Sequence, residues 1–421
     1  MALVRSQEAP RVEPLPSESM IGEKRGLRAH GTARMIAGSL AGALGAYLFQ
    51  VVGGRGLGTT GFAPIALLWT VFFIVATVVL VPLEQFVTRE VGRGRRVLEA
   101  DRWVLGGVIG ATAAALAIFT AITNEALFAG NPIFVVQAFL VTALFGVMQV
   151  GKGILAGHRR FAAYGLVLAL EGVFRLAAAV AFLSLASTAA SLGWSMVAAP
   201  LCILVVRPWR HDRVDDPDVA ATPAVGFLGS YVAGSAASQL LLAGAPLGVV
   251  ALGGDEALRS VIFITFTLYR APLTLIYNLQ GRILSFLVRS DGNGVDVRHM
   301  ARRIATVGLG LSALAAVVGW LLGPAVVEVL FGAAFRPLPE VAAMVASGVI
   351  VASTTQIMGQ ALVASGSTGQ LASAWVGGLF AGILAMMVVG GGPGFRVGAA
   401  FLAGELTAFT LALVRTLRRP D

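Results

Sequence analysis

The stretch Arg34–Arg96, RMIAGSLAGALGAYLFQVVGGRGLGTTGFAPIALLWTVFFIVATVVLVPLEQFVTREVGRGRR, decides how the whole chain is read. Two apolar runs, about Arg34 to Val52 and Phe62 to Val87, flank the glycine-rich segment Gly53 to Gly58, and Arg89, Arg93, Arg95 and Arg96 close the second. Each run has the roughly twenty residues that an α-helix needs to cross roughly 30 Å of hydrocarbon at about 1.5 Å per residue. A pair of spans leaving and re-entering the arginine-rich face is the simplest reading, because Lys and Arg collect on the cytoplasmic side of a membrane.

Working outward, the pattern repeats along the 421 residues. Further spans are expected at about Trp103 to Ile122, Pro132 to Leu155, Phe161 to Phe182 and Ala186 to Val206. After a polar interval come Ala224 to Leu252, Leu258 to Val288, Arg303 to Leu322, Leu338 to Ala364, Leu371 to Val389 and Val397 to Leu417. With twelve spans and both termini inside, basic clusters fall on one face: Lys24, Arg25 and Arg28; Arg89 to Arg102; Lys152, Arg159 and Arg160; Arg207, Arg210 and Arg213; Arg289 to Arg303; Arg415, Arg418 and Arg419. The opposite face holds Arg55, Arg259, Arg336 and Arg396, one to a loop. Trp103, Trp209, Trp320 and Trp375 fall near predicted span ends, where an amphipathic indole suits the headgroup region.

Composition agrees with an all-α integral membrane fold. The chain is 57% hydrophobic and 13% charged, too little polar surface to cover a soluble core of this size. The short alternating segments of a membrane β-barrel are absent from the sequence. A net charge of +9 would suit nucleic acid, but arginines clustered beside apolar runs are topology signals, so no nucleic acid partner is expected. One cysteine, Cys202, leaves no disulfide within the chain, and His30, His158, His211 and His299 lack metal-site spacing.

These spans define the domains. Residues 1–33 read as a disordered cytoplasmic tail, 34–206 as an N-terminal six-helix bundle, and 207–222 as a cytoplasmic linker. Residues 223–417 form a C-terminal six-helix bundle, and 418–421 a second tail. Six spans followed by six give the halves the same orientation, as in parallel repeats. Gly38-Ser39 against Gly229-Ser230, Pro82-Leu83 against Pro272-Leu273, and Gly151 against Gly359 support a duplication.

Three segments resemble a known family: GRGLGTTGFAPIALLWTVFFIVATVV (Gly54–Val79), VVEVLFGAAFRP (Val326–Pro337) and GQALVASGSTG (Gly359–Gly369). Their order and the twelve-span layout are similar to the multidrug, oligosaccharidyl-lipid and polysaccharide (MOP) exporter superfamily, in its oligosaccharide flippase or polysaccharide biosynthesis branch. The resemblance implies two MATE-like six-helix bundles around a central cavity that opens alternately to each side, with the eighth span bordering it. It also implies a polyprenyl-diphosphate-linked glycan as cargo, a bacterial plasma membrane location, and a polysaccharide polymerase or glycosyltransferases as partners. An ion-coupled multidrug exporter is the alternative within the fold. An integral membrane glycosyltransferase is the alternative outside it, though the loops are too short for a catalytic domain.

Ionisable groups inside spans are costly and so mark sites or pairs. Arg270, mid-span and just before Pro272, suits a diphosphate through its planar fork. Gln239, Asn278, Gln280 and Gln356 are candidates to line a sugar path, or interhelical hydrogen bonds. Glu171 and Arg175, four apart, share a helix face as a pair or a cation site. Glu84 is an interfacial acid near the inside headgroups, a partner of Arg270 or a coupling acid, and Glu405 a partner of Arg175 or Arg270 or a coupling acid. No cofactor is expected; the driving force open to such a carrier is a proton, a sodium ion or the membrane potential.

Overall fold

The computed structural model describes residues 18–211, 235–271, 273, 297–364 and 368–418. Twelve helices of the described residues carry the architecture, numbered here in chain order. The N-terminal bundle has α1 (18–57), α2 (59–92), α3 (Arg102–Ile122), α4 (Ile133–Gly157), α5 (Phe161–Leu185) and α6 (Ala189–Arg210). The C-terminal bundle has α7 (235–251), α8 (Glu256–Tyr269), α9 (Val297–Phe331), α10 (Pro339–Ala364), α11 (Thr368–Val388) and α12 (Pro393–Leu417). All but α7 and α8, which adjoin undescribed residues, are long and apolar enough to cross a bilayer.

The opening hairpin is tighter than a loop. Helical hydrogen bonding continues through 18–75 except at Gly58, whose φ of 69° and ψ of −179° only glycine adopts readily. There the chain reverses. Phe49 of α1 stacks on Trp69 of α2 with ring centroids 5.4 Å apart, and Gly53 packs against the Phe62 ring, so the two helices run back along each other. α1 also starts earlier than the sequence reading placed it, at Glu18, inside the stretch assigned to a disordered tail. Glu, Lys, Arg, Met and Leu in that stretch are good helix formers, which lets the helix run on past its apolar section.

Small residues set the packing of α1 on α5. A methyl group added at Gly38 would meet the backbone of Gly165, and one at Gly45 would lie 2.7 Å from the Cα of Gly172. Backbones in such contact gain dispersion energy that bulky side chains would prevent, the main attraction left between helices in oil. Elsewhere α4 is wedged between α2 and α3, while α10 packs on α9 and α12, and α12 on α11. Outward faces are apolar: Ile118 and Ile122 on α3, Leu314 and Leu321 on α9, Phe380 and Leu384 on α11. So large an exposed apolar surface is stable against hydrocarbon and unstable in water.

The bundles meet at the end opposite the arginine-rich loops. Phe62 lies 6.0 Å from Phe263 and 6.4 Å from Phe335, and Phe335 lies 5.9 Å from Phe331, all four rings being buried. Trp103 is 81% exposed and Trp320 is also exposed, as interfacial indoles should be. Trp375 departs from that expectation: it is 3% exposed, within the C-terminal core that includes Leu241 and Phe401.

Candidate transport site between the bundles

Arg270 sits at the C-terminal end of α8. Its Nη1 donates to the Leu242 carbonyl at 3.2 Å and its Nη2 reaches Thr267 Oγ1 at 3.4 Å. The reason lies in α7, which is interrupted at Gly244 and resumes with Ala245-Pro246. Proline has no N–H to return to the residue four before it, so Leu242 lacks its helical donor. Arg270 fills that place. Its guanidinium also lies 5.2 Å from the Phe73 ring centroid of α2, across the seam, and Tyr47 of α1 donates to the Thr267 carbonyl at 3.1 Å. Tyr47, Phe73 and Arg270 thus converge from both bundles.

Toward the arginine-rich end, the face of α2 that carries Phe73 opens: Thr77 and Val81 are half-buried, Gln85 and Arg89 exposed. Toward the other end, hydrogen bonds close the seam. Ser260 Oγ donates to the Thr59 carbonyl at 2.6 Å. Arg55 donates to the carbonyls of Leu330 (2.8 Å) and Val329 (2.6 Å) at the C-terminus of α9. Those are among the carbonyls a helix end leaves without partners, and a cation there also complements the helix dipole. Hydrogen bonds thus close the seam at that end, and Arg270 lies further along it, between the two bundles.

Glu84 does not pair with Arg270. Lys152 Nζ of α4 is 3.0 Å from one of its oxygens and Tyr164 Oη of α5 donates to the other at 2.7 Å. Gln149 accepts from Lys152 at 2.7 Å. The turn of α2 before Pro82 explains the direction: residues Ala76–Leu80 form a π-helix, which takes up an extra residue and rotates the remainder of α2 into the bundle. Lys152, expected among the inside loop charges, is therefore 7% exposed and part of the bundle interior. Its position three residues after Gln149 and five before the end of α4 was the available signal.

Glu171 and Arg175 form an ion pair along α5, and Arg175 lies 5.1 Å over the Trp69 ring. Each in-span cation of the N-terminal bundle thus has an acid beside it.

Glu405, on α12, has no such company. It is 0% exposed, and neither carboxyl oxygen has a hydrogen-bond partner; the expected pairing with Arg175 or Arg270 does not form. Gln239 is buried on α7 one turn before Leu242, and Gln356 is half-buried on α10. Asn278 and Gln280 lie outside the described residues. Among the described residues no cluster of His, Cys, Asp and Glu could hold a metal ion.

No protein-family profile matches the chain. An uncharacterized protein of Mycobacterium tuberculosis (strain ATCC 25618 / H37Rv) is 25% identical over 426 aligned residues, covering 95% of each chain. Among solved structures, the inward-facing conformation of a multidrug resistance MATE family transporter of the MOP superfamily superposes with a TM-score of 0.62 at 13% identity, over 88% of this chain and 94% of that one. A MOP superfamily transporter from Pyrococcus furiosus, described as having a binding pocket whose reverse polarity suggests a different function, gives 0.56 at 14% identity over 93% and 96%. The chain therefore has the MATE-like fold of two six-helix bundles. Its structural neighbours are transporters rather than enzymes.

Proposed function

We propose that this protein is a carrier working by alternating access, which moves a polyprenyl-diphosphate-linked oligosaccharide from the inner to the outer leaflet of a bacterial plasma membrane for cell-surface polysaccharide synthesis. The observation that carries the cargo assignment is Arg270. A guanidinium at the seam between the bundles offers planar donors to phosphate oxygens, where a pump for organic cations would be expected to place an acid. The acids Glu84 and Glu171 are already neutralised by Lys152 and Arg175, so they offer a cationic drug little. Leu240, Leu241 and Gly244, around the carbonyl that holds Arg270, line an apolar groove of about 320 Å³ between α7, α11 and α12, which gives an isoprenoid chain a place beside the diphosphate.

Partners on this reading are membrane lipids, the glycosyltransferases that build the glycan and the polymerase that uses it. The closed outer seam and the likeness to an inward-facing transporter support a state that loads from the cytoplasmic side. The test is a comparison in reconstituted vesicles: flipping of a fluorescent polyprenyl-diphosphate glycan against efflux of a cationic dye. Glycan flipping without dye efflux supports the reading. Dye efflux without flipping transfers the protein to ion-coupled multidrug export.

A further inference from the structure

Among the described residues, the C-terminal bundle holds a carboxyl group, that of Glu405, with no basic side chain paired to it. Glu405 is fully buried and both its oxygens lack partners, whereas Glu84, Glu171 and Glu90 each face a basic side chain within ion-pair distance. Among the described residues, the helices packed on α12 are α7, α9, α10 and α11. In their described parts, α7 and α11 carry no charged residue. On α9, Arg298, His299, Arg302 and Arg303 sit at one end and Glu328 at the other, and on α10 Glu340 sits at the first turn. α12 itself has Arg396 three residues from its start and Arg415 in its last turn; Arg396 donates to the Met386 carbonyl and Arg415 to that of Gln370. Glu405, twelve residues from the helix start, is a full turn or more from all of them.

Register places the carboxyl where three helices meet. An added methyl group at Gly348 of α10 would strike the Phe401 ring, one turn from Glu405; at Gly404 it would come within 2.9 Å of the Gly378 carbonyl of α11 and 2.5 Å of the Leu241 side chain of α7. Further toward the arginine-rich end, α7 carries buried Ser238 and Gln239, and α10 carries buried Ser353, Thr354 and Thr355, with Thr354 against Gly308 of α9. Ser353, Thr354 and Thr355 donate to carbonyls of their own helix, which leaves oxygen lone pairs for another donor. An unpaired charge at this depth is among the costliest arrangements a membrane helix can carry.

We infer that Glu405 is an exchangeable proton site in the C-terminal bundle. A proton from water on one face joins a carboxylate oxygen to give a neutral acid that this buried position can hold, and leaves to water once rearrangement of the bundle admits it. Service as the coupling site rests on the carrier reading above; occupancy by a proton does not.

The test uses the full-length protein in phosphatidylcholine vesicles and infrared difference spectroscopy. The expected result is a carbonyl-stretch band of a protonated carboxylic acid at neutral pH, shifted in heavy water, absent in Glu405→Gln and retained in Glu84→Gln and Glu171→Gln. Glu405→Asp should keep the band at a moved frequency, which covers a Gln variant that fails to fold. The inference is overturned by absence of the band, by its survival in Glu405→Gln, or by its loss when sodium chloride replaces choline chloride at fixed pH. The band reports occupancy whatever the cargo proves to be, so its failure is separable from failure of the flipping assay.

Discussion

Arg270 and Leu242 are joined by a 3.2 Å hydrogen bond that replaces the one Pro246 denies to α7. The arginine therefore has two duties, bracing a broken helix and presenting charge to the seam between the bundles, and a single substitution confounds them. Arg270→Ala should reduce glycan flipping more than tenfold and lower stability by about 1–3 kcal/mol, the cost of an orphaned buried acceptor. Adding Pro246→Ala restores a donor for Leu242 and should recover stability but not flipping. Thermal unfolding and flipping measured on the same preparations decide it; recovery of both would reduce Arg270 to a brace.

Lys152 and Glu84 are an interior pair, so removing one partner leaves a buried charge behind. Lys152→Met should cost about 3–5 kcal/mol. The double variant Lys152→Met with Glu84→Gln should cost much less than the sum of the single changes, because the orphan charge goes with it. Unfolding in detergent measures the cycle, and additive losses would show the pair is uncoupled.

Gly165 offers a packing test. A side chain there would press on the backbone of Arg34 and Met35 in α1, with an added Cβ only 2.7 Å from the Met35 Cα. Gly165→Val should lose about 1–3 kcal/mol through overpacking, read as a lower midpoint of thermal unfolding. An unchanged midpoint would mean that α1 and α5 separate at no cost.

The outer seam should open during the cycle. A disulfide between Thr59→Cys and Ser260→Cys should stop flipping, and reductant should restore it. Arg55→Ala removes the hydrogen bonds to Leu330 and Val329, and should speed labelling of a cysteine placed at buried Val327 by an impermeant thiol reagent added outside. Uninterrupted flipping by the cross-linked protein would show that this end stays shut.

How much of this was legible in the sequence depends on range. The apolar runs and arginine clusters fix the helices, because an isolated span must satisfy its own backbone in oil and a basic loop resists crossing. Glu171 with Arg175 were paired by helix periodicity alone. Partners between helices were not readable. Glu84 turns away from Arg270 because a π-helical turn shifts the register of α2, and no residue pattern marks that turn beyond the Pro82 just after it. Lys152 looked like a loop charge because the span was ended near Leu155, and only the fold shows an acid and a tyrosine waiting for it. Trp375 likewise looked interfacial by its place near a helix start, yet packing drew it into the core.

Arg55 grips α9 through main-chain oxygens, which every amino acid at positions 329 and 330 supplies alike. Such a clasp makes no demand on the identity of the residues it holds, only on where the helix stops. Proteins of this shape can then diverge at those positions while keeping the same lock, provided the arginine and the helix terminus persist.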